Sequence, residues 1–266
     1  MNLIIKDIPR EFLALKINYC RQQIAALPEV KMHTYTIDGT PVEYAVAGST
    51  RLRTNTKQGK KLLNKMKIRD YLKHQLHVYE AIWEANYYGD PIPECRPRKT
   101  FRKLYVDYAQ PVILDKAYFD SLESDSNSNY SKPTEYFFNG IYYRSAAERD
   151  IAIFYTEMGI PFKYEPAVYI KGLAEPIHPD FVLYIRELNN CKFHEHFGVK
   201  QSSSYLRKTR FKYDNYTNAG LVPEIDIIFT HDTTDLNFDI RALALKLNTA
   251  VYMTLVGTSK KDDEAA

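Results

Sequence analysis

The sequence predicts an α+β or α/β protein in two parts: a basic, mainly helical N-terminal domain with a β-hairpin, and a C-terminal domain in which helices alternate with short strands. Three observations predict it. Apolar residues recur at helical spacing in two N-terminal stretches. A polar, turn-rich segment from Ser121 to Ser131, SLESDSNSNYS, separates the halves. Beyond it, runs of strand character follow one another closely. At 266 residues, each part can bury a core without disulfides or metals. The expected boundaries are 1–125 and 131–256, with a disordered tail at 257–266.

In the N-terminal part, Phe12, Leu15, Ile17, Ile24 and Leu27 lie close to helical spacing, and Pro28 stops the helix. His33 to Ile37 and Val42 to Val46 flank Asp38-Gly39, the turn signal of a hairpin. From Lys57 to Tyr88, Leu62, Leu63, Met66, Leu72, Leu76, Tyr79, Ile82 and Trp83 recur at helical intervals, giving one long helix or a broken pair. After the polar segment, Tyr136 to Tyr143 around Asn139-Gly140 reads as a second hairpin. Ser145 then opens a helix with Ile151, Ala152 and Tyr155 on one face. Strands are expected at Phe162–Ile170, His178–Ile185, Cys191–Val199 and Glu224–Thr230.

A hydrophobic fraction of 45% and a charged fraction of 26% exclude a disordered or membrane-embedded chain. No apolar run approaches the ~20 residues that span a bilayer, and Met1 to Pro9 lacks the apolar core of a secretory signal. The expectation is an intracellular, cytoplasmic protein with no membrane partner. Cys20, Cys95 and Cys191 form no C-x-x-C pair, so neither a disulfide framework nor a structural zinc site is expected. The 22 tyrosines offer stacking surfaces for bases or, more commonly, half-buried strand and helix faces.

The net charge of +3 is mild but unevenly placed. Arg51, Arg53, Lys57, Lys60, Lys61, Lys65, Lys67, Arg69 and Lys73 are opposed in their stretch only by Asp70, and Arg96, Arg98, Lys99, Arg102 and Lys103 form a second cluster. A charge run on a helix is commonly its solvated face. The near absence of acids makes a phosphate-contacting surface an equal reading, with Arg51, Arg53, Lys57, Lys60, Lys61 and Lys65 as its candidate residues.

Chemistry concentrates in the second half. Glu148 shares the face of Ile151, Ala152 and Tyr155, although Ser145-Ala146-Ala147-Glu148 is also a capping box, in which Glu148 would reach back to the backbone of Ser145. Asp180 follows Pro179 at the start of one strand. Glu195 lies in Phe193-His194-Glu195-His196-Phe197-Gly198, and period-two alternation points it to the side of Phe193 and Phe197. An acid there is costly unless paired or metal-bound. Two carboxylates from neighbouring strands supply hard oxygen ligands for Mg²⁺ or Mn²⁺, and a third from the preceding helix completes the charge.

A helix Glu, then Pro-Asp on one strand, then Glu on the next, together with Arg144-Ser145-Ala146-Ala147-Glu148, Tyr164-Glu165-Pro166 and Glu195-His196-Phe197-Gly198, resembles the PD-(D/E)xK (restriction-endonuclease-like) nuclease superfamily. The resemblance covers about Pro133 to Thr249, in an uncharacterised bacterial and phage branch. It implies a mixed sheet flanked by helices and Mg²⁺- or Mn²⁺-dependent hydrolysis of DNA phosphodiesters, double-stranded DNA being the expected partner. Glu148, Asp180 and Glu195 would be the metal and catalytic residues. A homodimer or a larger nucleic-acid-processing complex is compatible with it.

One departure stands out. The lysine expected two residues after the second acid is replaced by Phe197. Some relatives carry it on the following helix, where Lys212 is the matching candidate and Gln201 a weaker one. His196 points to the other strand face, from which it could support the metal ligands from outside; His194 is expected to be a buried histidine hydrogen-bonded to backbone. Loss of catalysis with retention of nucleic-acid binding or complex assembly is the alternative.

Overall fold

In a computed structural model of the chain, residues 8, 10–94, 102–106, 111–198, 203–232 and 238–256 are described. Two compact units emerge. One is Leu13–Arg96, and the other joins Met1–Phe12 to Pro97–Ala266. The first helix, α1 (Arg10–Ala26), ends just before Pro28 as its spacing predicts. Gln201, Lys200, Cys95, the Arg96–Lys99 cluster and the 257–266 tail lie outside the described residues.

After α1, the N-terminal unit folds as a three-stranded antiparallel meander, β1 (Lys31–Ile37), β2 (Thr40–Ala47) and β3 (Thr50–Arg53), followed by α2 (Lys57–Asn86). Asp38 and Gly39 both take positive φ, 50° and 75°, which matches the twist of the strands they join. The third strand is absent from the sequence expectation, because Thr50-Arg51-Leu52-Arg53 is short and half cationic. α2 is one unbroken helix of 30 residues. Thr56 caps it by accepting the Gly59 N–H at 3.0 Å, and a Cβ at Gly59 would stand 1.9 Å from the Arg53 carbonyl oxygen. Only glycine permits that approach. Arg69, counted above in the basic run, is instead tied to the end of α1, donating to the carbonyls of Ile24 and Leu27, where helix carbonyls lack partners.

The C-terminal unit opens with the pair β4 (Lys103–Leu104) and β5 (Val112–Ile113) and the short helix α3 (Lys116–Ser121). The expected hairpin follows as β6 (Phe137–Phe138) and β7 (Ile141–Tyr142), then α4 (Ala146–Glu157), β8 (Phe162–Tyr164), β9 (Phe181–Ile185), β10 (Asn190–Phe197), α5 (Ser203–Asn218), β11 (Ile227–His231) and α6 (Ile240–Val256). The sheet order is β11-β10-β9-β8. β8, β9 and β10 are antiparallel neighbours, whereas β11 joins β10 in parallel across the α5 connection. β9 and nearly all of β10 are buried, as strands covered on both faces must be. Val182, Tyr184, Phe193, Phe197, Tyr216, Ile227 and Phe229 belong to one core cluster, and Phe181, His194 and Tyr155 meet in another through ring contacts of 5.7 to 5.9 Å. Among the described residues no helix is long and apolar enough to cross a membrane.

The polar Ser121–Ser131 segment is not where the compact units part. Asp125 and Ser126 donate main-chain hydrogen bonds to Tyr164 O and Glu165 O at 2.6 and 3.2 Å, and Asn127 is buried. Its short polar side chains serve the end of β8 as a neighbouring strand would, a use that composition cannot distinguish from a linker. The described residues of the 97–125 stretch, 102–106 and 111–125, accordingly belong to the C-terminal unit. β8, β9 and β11 are also shorter than predicted. Glu165 at φ 40° turns the chain after Tyr164, and Pro179, which has no N–H, precedes the start of β9.

Candidate active site

The register of the sheet assembles the acids. Phe181 of β9 stands opposite His194 of β10, so continuing the antiparallel ladder by one residue sets Asp180 beside Glu195. Asp180 is 2% exposed. Its Oδ2 accepts the His196 backbone N–H at 2.7 Å, and its Oδ1 lies 2.9 Å from Arg144 Nη2. Glu148 comes from the first turn of α4, where its own N–H is capped by Ser145 Oγ at 3.2 Å. The reciprocal half of the expected capping box is changed. Glu148 Oε2 accepts from Arg144 N–H at 3.1 Å and Tyr164 OH at 2.6 Å, so the carboxylate bypasses Ser145 and faces a cavity of about 590 Å³ shared with Asp180 and Glu195.

Glu195 is also 2% exposed. Lys212 and Tyr216, one turn apart on α5, reach it together: Lys212 Nζ donates to Oε1, and Tyr216 OH donates to Oε2 at 2.8 Å. The buried strand acid is thus paired, as its cost demands. Burial first, and then the charge of Asp180, hold both Glu148 and Glu195 above the usual carboxylate range; Arg144 opposes this at Glu148, and Lys212 at Glu195. For Lys212, burial works against the charged form, but Glu195 and Asp180 outweigh it and keep the ammonium above its ordinary value.

Two groups not singled out by sequence reasoning complete the site. Arg144 joins three acids: Nη2 touches Asp180, with Glu148 Oε1 at 3.8 Å, and Nε stands 3.0 Å from Glu165 Oε1. The Glu165 contact is an ion pair rather than a directed hydrogen bond, since the Nε–H is not aligned with the oxygen. Glu165 is fully buried and is further met by Asn127 Nδ2 at 3.0 Å and Lys132 Nζ at 3.1 Å. Both residues lie in the quoted phrases Arg144-Ser145 and Tyr164-Glu165-Pro166, so the signal was there, but no periodicity assigned them a direction.

The histidines are corrected in detail. His196 serves Asp180 through its main chain, while its imidazole lies on the opposite side, with Nδ1 2.9 Å from Thr230 Oγ1 and Nε2 3.6 Å from Asp232. His194 is fully buried between Tyr155 OH and Thr230 Oγ1, at 2.8 and 2.7 Å, and so is bonded to side chains rather than to backbone. Burial holds the ring of each below its ordinary pKa. Phe197 packs against Phe229 and His231. Of the proposed phosphate-contacting residues, Arg51 and Arg53 lie on β3 and Lys57, Lys60, Lys61 and Lys65 on α2, all exposed.

The carboxylate oxygens are hard ligands of the kind that suit a divalent cation, and burial, with the charge of Asp180 second, holds two of these acids above the usual carboxylate range. As the side chains lie, Arg144, Lys212, Tyr164 and Tyr216 take several of those oxygens, and among the described residues no group of three or more His, Cys, Asp or Glu is arranged to hold a metal ion. Comparison of the chain with protein-family models, with curated proteins and with solved structures finds no match.

Proposed function

We propose that the C-terminal unit is a PD-(D/E)xK-type nuclease that hydrolyses DNA phosphodiesters with Mg²⁺ or Mn²⁺. The observation that carries this reading is the contact of Lys212 with Glu195 inside the cavity shared with Asp180 and Glu148. It restores from α5 the cation that Phe197 removes from the strand. The mixed sheet with helices before, within and after it agrees with the architecture the resemblance implies.

Asp180 and Glu195 would hold the ion, with Glu148 as the third acid. Such an ion lowers the pKa of a bound water and polarises a phosphate. The remaining work falls to the chain's own groups. Lys212 stands ready to meet negative charge developing on the phosphate, an effect typically worth ~10² to 10³ in rate. Tyr216 orients Glu195, and Arg144, placed against both Asp180 and Glu148, offsets the repulsion between them. The test is plasmid DNA incubated with the purified protein in Mg²⁺, Mn²⁺ or EDTA. Cleavage that persists in EDTA, or that Glu195→Ala leaves unaltered, overturns the proposal.

A second reading draws on the same hydrogen bonds. With protein donors on the oxygens of all three acids, the unit could bind DNA without cutting it. Binding that survives EDTA, without cleavage in either metal and without heat of Mn²⁺ binding in calorimetry, selects that alternative.

A further inference from the structure

In antiparallel strands, residues opposite one another share a face. The pairs Lys31↔Val46, His33↔Tyr44, Tyr35↔Val42, Val46↔Arg51 and Tyr44↔Arg53 therefore gather Lys31, His33, Tyr35, Tyr44, Arg51 and Arg53 on one face of the β1–β3 sheet. On the opposite face Ala45 is fully buried, and α2 packs on β2 and β3. The cationic face is open. β1 is exposed along its whole length, as are Arg51 and Arg53. Glu43, the acid within these strands, alternates to the covered side.

Its aromatic groups are arranged unusually. The Arg51 guanidinium lies 3.8 Å from the Tyr35 ring centroid and 4.1 Å from that of Tyr44, and Arg53 Nε donates to Tyr44 OH at 3.0 Å. Stacking uses the flat face of a guanidinium and leaves its in-plane N–H donors for an incoming acceptor. It also covers the tyrosine faces on which a single-stranded nucleic acid would stack its bases. The ~12 Å major groove of B-form DNA admits a two-stranded ribbon, and β2 and β3, ~4.8 Å apart, present Tyr44, Arg51 and Arg53 on such a ribbon. The deep, narrow major groove of an RNA duplex would exclude it. The exposed Lys57, Lys60 and Lys61 follow directly, in the part of α2 that Gly59 seats against the end of β3.

We propose that this sheet face docks in the major groove of double-stranded DNA, with Arg51 and Arg53 presented to base edges and phosphates and the first turns of α2 contributing rim cations. The proposal rests on the reading that the protein acts on DNA, but not on its catalysis. The test is fluorescence anisotropy of the full chain in EDTA, with a labelled 24-base-pair DNA duplex (a length of about two helical turns) and with single-stranded DNA and duplex RNA of the same sequence. Duplex DNA is expected to bind best. Arg51→Lys, which keeps the charge but loses the planar fork, should weaken it on the order of tenfold, and Arg53→Ala should flatten the salt slope by about 0.9. Circular dichroism checks that these exposed substitutions leave the fold intact. Wild-type affinity in Arg51→Lys, or equal or tighter binding of single strands or duplex RNA, overturns the proposal. If Arg51-dependent duplex binding persists while Mn²⁺ elicits no cleavage, the nuclease reading fails and this one stands.

Discussion

Lys212 is where residue-scale chemistry is most exposed to test. Its ammonium supplies the charge that balances a buried Glu195, so on the proposed nuclease reading Lys212→Met should reduce DNA cleavage by about 10²-fold or more, and undiminished cleavage would remove Lys212 from that proposal. Lys192 makes a separate prediction. It is fully buried on β10, its Nζ donating to Thr254, and burial depresses its pKa from 10.5 to about 8 despite the opposing charge of Asp226. A depressed pKa means that the folded state binds fewer protons than the unfolded one between about 8 and 10.5. Stability is therefore greatest above the unfolded value and is lost as pH falls through the folded one. Thermal stability should rise over that window by roughly 3 kcal/mol, and Lys192→Met should abolish the rise while raising stability at pH 7. A slope that Lys192→Met leaves in place would assign the effect elsewhere.

At the scale of elements, the sequence showed where periodicity and turn chemistry act alone. α1, the β1–β2 hairpin and the Ser145-capped α4 all follow from spacing and from caps, whereas spacing left α2 open between one helix and a broken pair. β3 was illegible because a cationic four-residue run has no apolar alternation, and the role of Ser121–Ser131 because polar turn formers bind a strand end as readily as they leave it. Asp180 and Glu195 could be read as neighbours from their strands. The contacts of Arg144 and Glu165 could not, since they depend on side-chain directions across elements far apart in sequence. The junction of β3 and α2 is predicted to be intolerant. Gly59→Ala would place a methyl group against the Arg53 carbonyl and should lower stability by roughly 1 to 3 kcal/mol, read as a fall in Tm. An unchanged Tm would show that the junction relaxes freely.

For the whole molecule, the chief consequence is electrostatic. Folding confines Glu148, Glu165, Asp180 and Glu195 near one another, against Arg144, Lys132 and Lys212. Crowding like charges in this way costs stability. Mn²⁺ should therefore raise Tm, by an amount equivalent to about 2.7 kcal/mol at a concentration 100 times its Kd, and Asp180→Asn should abolish that gain without lowering the metal-free Tm. A lower metal-free Tm in Asp180→Asn would mean that the pairing with Arg144 outweighs the repulsion among the acids.

The bond from the His196 main chain to Asp180 makes part of this centre independent of side-chain identity. Nineteen of the twenty amino acids offer the same N–H at that position, so the residue there can drift in sequence while the carboxylate keeps its aim. A systematic alanine survey would pass over this anchor. Only a change to the chain itself, proline or a backbone ester at position 196, would reveal it.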